Sequence, residues 1–120
     1  MAKNFENLKV WQESVDLVSL IYRETKRFPQ AEQFGLTSQI RRAVVSVPSN
    51  IAEGAGRSSR PEFIRFINIS LGSLNEVESL IHVSVKLNFI SEKTFQQLKD
   101  KINQLGISLG AFKRYLAHHS

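Results

Sequence analysis

"SVPSNIAEGAGRSSRPEF", residues 46–63, places two prolines, two glycines and two arginines between stretches of helical pattern. How it is read decides the fold. A phosphate-gripping loop would imply a preceding strand and a parallel sheet, whereas a corner between helices implies an all-α protein. The dinucleotide fingerprint needs a third glycine, a strand before it and a βαβ unit; a P-loop needs Gly-Lys followed by Ser or Thr. None of these is present. The stretch therefore reads as the C-terminal half of one helix, Ser46 to Ala55, followed by the corner "GRSSRP". Pro48 lies inside that helix, where it removes the hydrogen bond to the Val44 carbonyl and crowds the preceding turn. A bend at Val44 to Pro48 is expected, with Ser46 or Ser49 beside the freed carbonyl. Gly54 or Gly56 is expected to supply the left-handed residue that closes the helix.

Outward from this corner, apolar spacing defines four helices. The first carries Leu8, Trp11, Val15, Val18 and Tyr22 at steps of three and four, widened by Leu17, Ile21 and Phe28. It stops at "RFPQ", because Pro29 disfavours helix at Phe28, and Lys26 and Arg27 suit the negative end of the helix dipole. The second starts near Thr37 or Ser38 and buries Ile40, Val44, Val47 and Ile51. The third opens after Ser59 with Pro61 and Glu62 in its first turn. Its stripe is Phe63, Ile67, Ser70, Leu74, Val77, Ile81 and Ser84. The fourth opens at Ser91 and repeats Phe95, Leu98, Ile102, Leu105, Leu109, Phe112 and Leu116. Strand signals are nearly missing, since "AVVSV" lies within a helical repeat. Four helices with short links predict one domain over residues 1–120, an up-down-up-down antiparallel four-helix bundle.

Composition narrows the function. The chain has 120 residues, no cysteine, and a formal net charge of +5. No disulfide framework or thiolate metal site is available. No apolar run reaches the length of a membrane span, and the N-terminus shows no hydrophobic signal core, so a cytoplasmic protein without a membrane role is expected. The positive charge is compatible with a polyanionic partner.

At the corner, Arg57, Arg60 and Arg65 flank the start of the third helix, whose free N–H groups favour negative charge. They can serve as an anion site, or as a solvated surface with ion pairs to Glu53 and Glu62. Arg41 and Arg42 lie a helix length away and would join that site only through a neighbouring subunit. Asn50 and Glu53 share a helical face, but no base or second carboxylate is fixed beside them, so they read as partners of backbone groups or of an arginine. His82 reads as a surface histidine, and His118 and His119 fall in the C-terminal tail. Ser58 and Ser59 have no base within reach. No active site, metal site or cofactor is expected.

Gly72, Gly106 and Gly110 lie inside helices, where glycine costs about 1 kcal/mol against alanine, and suggest close backbone approach. That approach could be within the bundle or between subunits. Val10, Leu20, Phe66, Ile69, Leu71, Val83 and Val85 lie off the main stripes. An apolar surplus of this kind usually meets a partner.

Three stretches carry a resemblance: "FENLKVWQESVDLVSLIYRETKRFP", "FGLTSQIRRAVVSVPSNIAEGAGRSS" and "EFIRFINISLGSLNEVESLI". The chain resembles the bacterial 23S rRNA intervening-sequence protein family from Phe5 to about Leu116, most specifically in "QIRRAVVSVPSNIAEG". The resemblance implies a homo-oligomeric ring of four-helix bundles, a homopentamer favoured, without known enzymatic activity. The family is named for reading frames within insertions in 23S rRNA genes. It is similar in fold and basic charge to the accessory variability determinants of diversity-generating retroelements, which bind nucleic acid and a reverse transcriptase. RNA or DNA is accordingly the leading expected partner beside the chain itself. A protein-interaction scaffold whose charge serves solubility is the alternative.

Overall fold

The computed structural model describes residues 4–118. Four helices make up the fold: α1 Lys9–Thr25, α2 Leu36–Ala55, α3 Arg60–Lys86 and α4 Glu92–His118, with 3-10 turns at Phe5–Asn7 and Gln30–Glu32. Among the described residues there is no strand. Each helix packs on its neighbours in sequence, and α1 closes on α4, so the short connections fold the chain into an antiparallel four-helix bundle.

The periodic pattern explains α3 and α4 well. All seven stripe residues of α3 are buried, and so are those of α4 except the half-buried Phe112. Ile21, Val44, Val47, Ile51, Ile67, Val77, Ile81 and Leu109 are fully buried. Each such side chain contributes roughly 1.5–3 kcal/mol relative to leaving it in water.

In α1 the buried seam is rotated from the expected one. Val15 and Tyr22 are exposed, and the seam runs through Val10, Ser14, Leu17, Ile21 and Thr25. Two of its members are polar, which hid them from an apolar count. Ser14 Oγ donates to the Trp11 carbonyl at 2.7 Å and Thr25 Oγ1 to the Ile21 carbonyl at 2.8 Å. With their hydroxyls satisfied along the helix, both can lie in the core.

α2 begins one residue before the expected caps. Gly35 precedes it, and the Leu36 N–H donates to Glu32 Oε1 at 3.0 Å. A carboxylate from the preceding turn thus occupies the capping role assigned to Thr37 or Ser38. The helix runs through Pro48 to Ala55 without a break. Ser46 is turned toward α3, with its Oγ 2.8 Å from Ser73 Oγ, and it also accepts from Asn50 Nδ2 at 3.0 Å. Ser49 is exposed. Ser70 reaches from the buried stripe of α3 to donate to the Val47 carbonyl at 2.9 Å, beside the proline. The serine in that stripe is therefore a polar tie between helices.

Glycine acts differently from the expectation at the end of α2. No described glycine has positive φ, and Gly56 has φ −85° and ψ −4°. The Gly56 N–H is shared between the carbonyls of Ala52 and Glu53, and the Arg57 N–H bonds to Gly54 O at 3.1 Å, so a tightened last turn ends the helix without a left-handed residue. Gly54 is instead a contact point: a Cβ there would lie 2.8 Å from both Phe63 Cδ1 and Phe66 Cβ. Gly72, Gly106 and Gly110 do not permit close approach within the chain. A Cβ at Gly72 would meet nothing within 4 Å, and those at Gly106 and Gly110 would make ordinary contacts at 3.7 Å.

The other two corners use side-chain caps and a left-handed asparagine. Ser59 Oγ accepts the Glu62 N–H at 3.2 Å, the capping expected for α3, and Ser91 Oγ accepts the Thr94 N–H at 3.1 Å before α4. α3 ends at Asn88, the only non-glycine residue described with positive φ (64°). Phe89 N–H bonds to Ser84 O at 2.9 Å and Asn88 N–H to Val85 O at 3.0 Å, the double closure of a Schellman ending.

Candidate functional site

Arg57, Arg60 and Arg65 sit where α2 turns into α3, and the structure gathers two of them on one ring. The Arg57 guanidinium carbon lies 4.8 Å from the Phe66 ring centroid and that of Arg65 lies 5.2 Å from it. Phe66 is itself buried. Its burial fixes the ring, and the ring in turn organises two cations. Both arginines also have carboxylate partners. Arg57 Nη2 is 2.8 Å from Glu53 Oε2, while Arg65 Nη1 is 3.9 Å from Glu62 Oε1. These pairs are solvent-exposed, so each contributes well under about 1 kcal/mol and yields readily to a competing anion.

Arg60 differs. It opens α3, lies over the Tyr115 ring of α4 at 5.8 Å, and its Nη1 is shielded from solvent with no hydrogen-bond partner. The corner thus presents three guanidinium groups beside the start of a 27-residue helix, with the charges of Glu53 and Glu62 interleaved.

Arg41 and Arg42 stand at the opposite end of α2 and serve different ends. Arg41 Nε donates to Thr25 Oγ1 at 2.8 Å and Nη2 to the Tyr22 carbonyl at 3.3 Å, with its guanidinium 4.5 Å from the Tyr22 ring centroid. It clasps the last turn of α1, where carbonyls lack helical partners. Arg42 is exposed and makes no ion pair among the described residues.

The remaining sequence candidates are structural. Asn50 Nδ2 donates to the Ser46 carbonyl at 2.8 Å, and Glu53 is the partner of Arg57. Pro48 is buried, Gly54 is buried against Phe63 and Phe66 of α3, and Gly56 forms the exit of α2. His82 is exposed, 3.9 Å from Glu78 and edge-on to Phe95. His118 ends α4; His119 lies outside the described residues. Among the described residues no three His, Asp or Glu side chains cluster closely enough to hold a metal ion, and no helix is long and apolar enough to cross a membrane.

Of the off-stripe apolar residues, Val10 and Phe66 are buried, and Leu20, Leu71 and Val85 pack against the core. Only Ile69 and Val83 remain exposed. A feature absent from the sequence reading is Phe34, 91% exposed in the connection before α2. Its one signal in the sequence is that it belongs to no helical stripe.

No curated protein matches the chain. A crystal structure of a protein of unknown function from Bacteroides thetaiotaomicron, assigned to the S23 ribosomal protein family, superposes with a TM-score of 0.77 at 22% identity, covering 87% of this chain and 97% of that one. That likeness shows the shared fold. Residues 6–111 match the 23S rRNA-intervening sequence protein family. The match spans most of the chain, and the chain belongs to that family.

Proposed function

We propose that this protein is a non-enzymatic, basic scaffold of the cytoplasm that assembles with copies of itself, a pentamer favoured, and binds RNA or DNA through phosphate contacts. The observation that carries the reading is the arginine corner: Arg57 and Arg65 flank one buried ring, and Arg60 stands at the start of α3. Guanidinium groups held near a helix N-terminus offer phosphate both charge and oriented donors. Their exposed pairing with Glu53 and Glu62 holds the side chains in place without a strong bond to displace. Similarity to the nucleic-acid-binding accessory variability determinants points the same way, as analogy at the level of fold.

Binding through phosphate weakens with salt by roughly 0.7–0.9 log units per log unit of salt for each contacted phosphate, and shows little sequence preference. A salt titration of RNA and duplex DNA binding tests this, with the combined Arg57→Ala, Arg60→Ala, Arg65→Ala variant as comparison. Expected is a shallower salt slope and weaker binding for the variant. Binding unaffected by the triple change would move the site elsewhere.

The alternative, a protein-interaction scaffold with no nucleic-acid role, draws on exposed apolar side chains: Ile107 is 73% exposed, Leu87 50% and Val83 42%. Absence of binding to either nucleic acid at low salt would favour it.

A further inference from the structure

The α1–α2 end of the bundle bears a second surface, chemically unlike the arginine corner. Phe34 projects there, 91% exposed, the most exposed large apolar side chain described. A phenyl ring so fully in water contributes nothing to the core of this chain. Beside it opens a shallow groove of about 480 Å³, lined in part by Ser38, Gln39 and Arg42. A second groove, of about 450 Å³, reaches Tyr22, Arg41 and Asn50. Arg42 and Ser46 line both, so the grooves join along the outer face of α2. From Leu36 to Asn50 that face is roughly 20 Å long by helical rise.

The segment that forms this end is also the more basic, and Arg41 and Arg42 are its cations on the grooves. Residues 21–49 contain Arg23, Lys26, Arg27, Arg41 and Arg42 against Glu24 and Glu32, a balance of +3 within the chain's +5. The corner, residues 53–65, has three arginines against two glutamates, a balance of +1. Among the described residues Arg42, unlike Arg57 and Arg65, has no carboxylate partner. Glu76 also lines the first groove. It disfavours a phosphate deep in that groove but can accept hydrogen bonds from an exocyclic amino group.

A free aromatic face, an unpaired guanidinium within two turns of it, and a row of hydroxyl and amide groups together suit a nucleotide chain whose bases are unpaired. Bases stack on aromatic side chains while the backbone follows positive charge, and any base offers a π-face. We propose that single-stranded nucleic acid runs along the outer face of α2, with a base stacked on Phe34 and the adjoining phosphate paired with Arg42. A duplex can pair a phosphate with Arg42 but cannot stack a base on Phe34, because its bases are already stacked on one another. The proposal rests on the nucleic-acid reading given above and adds a site and a strand preference to it.

The test is fluorescence anisotropy of a short labelled oligouridylate and of an RNA duplex of equal length, compared first at one low salt concentration and then across a salt titration. The proteins are wild type, Phe34→Ala, Phe34→Trp and Arg42→Gln. Phe34→Ala should weaken single-strand binding by about 5- to 160-fold, the range for losing one stacked base, and leave duplex binding unchanged. Phe34→Trp, which keeps a stacking face, should restore it. Arg42→Gln should weaken binding and flatten its salt dependence by about one phosphate contact. Phe34 is exposed, so these changes leave the fold intact, which circular dichroism would verify. Single-strand binding indifferent to Phe34→Ala would overturn the proposal while leaving phosphate binding at the corner standing. A fall in particle mass for Phe34→Ala by light scattering would also overturn it, showing Phe34 to be a contact between copies. If wild type binds neither probe, this proposal and the nucleic-acid function fail together.

Discussion

A methyl group added at Gly54 would lie 2.8 Å from Phe63 Cδ1 and from Phe66 Cβ, closer than carbon atoms tolerate. The second neighbour is anchored to the α3 backbone, so relief requires the helices to part. Overpacking of this kind costs roughly 1–3 kcal/mol, against a helix-propensity gain of about 1 kcal/mol for alanine over glycine. Gly54→Ala should therefore lower the unfolding free energy, by up to about 2 kcal/mol. Gly72 is the internal control: the same methyl there meets nothing within 4 Å, so Gly72→Ala should stabilise by about 1 kcal/mol. Urea denaturation of the two variants reads both signs in one experiment, and a stabilised Gly54→Ala would refute the close-contact role. The sequence pattern makes Gly54 a candidate helix-closing residue and Gly72 a site of close approach, and the structure reverses the second role. What separates them is the facing helix, which only the fold supplies. Asn88 poses the converse case. Its φ of 64° needs a residue tolerant of the left-handed region, so Asn88→Val should cost about 1–2 kcal/mol, and Asn88→Gly should not destabilise.

Helix ends and helix faces differed in how far their letters revealed them. Ser59 with Glu62 and Ser91 before Glu92 announced the starts of α3 and α4, because capping is a local reaction between neighbours. The start of α2 was hidden, since its cap is the Glu32 carboxylate, acting from a preceding 3-10 turn that no local rule foretold. The face of α1 was misplaced because Ser14 and Thr25 are core residues with polar letters. Much of the candidate site was legible as composition: three arginines around the α2–α3 corner. Their shared ring was not, since Phe66 was read as surplus apolar surface rather than as the platform between Arg57 and Arg65. Arg41 and Arg42, adjacent in sequence, are assigned by the structure to separate tasks. Arg41 ties α2 to the end of α1 through Thr25 and the Tyr22 carbonyl, whereas Arg42 faces solvent. Arg41→Ala should thus lower stability by about 1 kcal/mol, and Arg42→Ala should change it by less than about 0.5 kcal/mol. Equal losses in thermal or urea unfolding would contradict this division.

At the scale of the whole molecule, the question is what covers the apolar side chains that the bundle leaves outside. The seven off-stripe residues are a weaker argument for assembly than they seemed, since five of them reach the core or pack against it. The burden passes to Ile69 and Val83 on α3, Ile107 on α4, and Val15 on α1, which face solvent at 36% exposure or more. Val45 on α2 is exposed as well, so exposed apolar side chains occur on all four helices. A two-fold dimer uses one self-complementary patch, but a ring uses two different patches on each subunit, one for each neighbour. Apolar residues distributed around the bundle fit the second arrangement better, in keeping with the pentamer that the family resemblance implies. Such a ring would have a mass of about 68 kDa, five times 13.6 kDa, and a formal charge of +25, five times +5. Because assembly stabilises the folded state by mass action, the thermal midpoint should also rise with protein concentration. Multi-angle light scattering at micromolar concentration measures the first property and a dilution series of melts the second. The substitution that probes the cause is Ile107→Glu, at a position 73% exposed and so without a role in the core. If α4 contributes a contact, the variant should run at lower mass while its circular dichroism stays that of a helical bundle. A wild-type mass of 13.6 kDa with a concentration-independent midpoint would show that these side chains are simply tolerated in water.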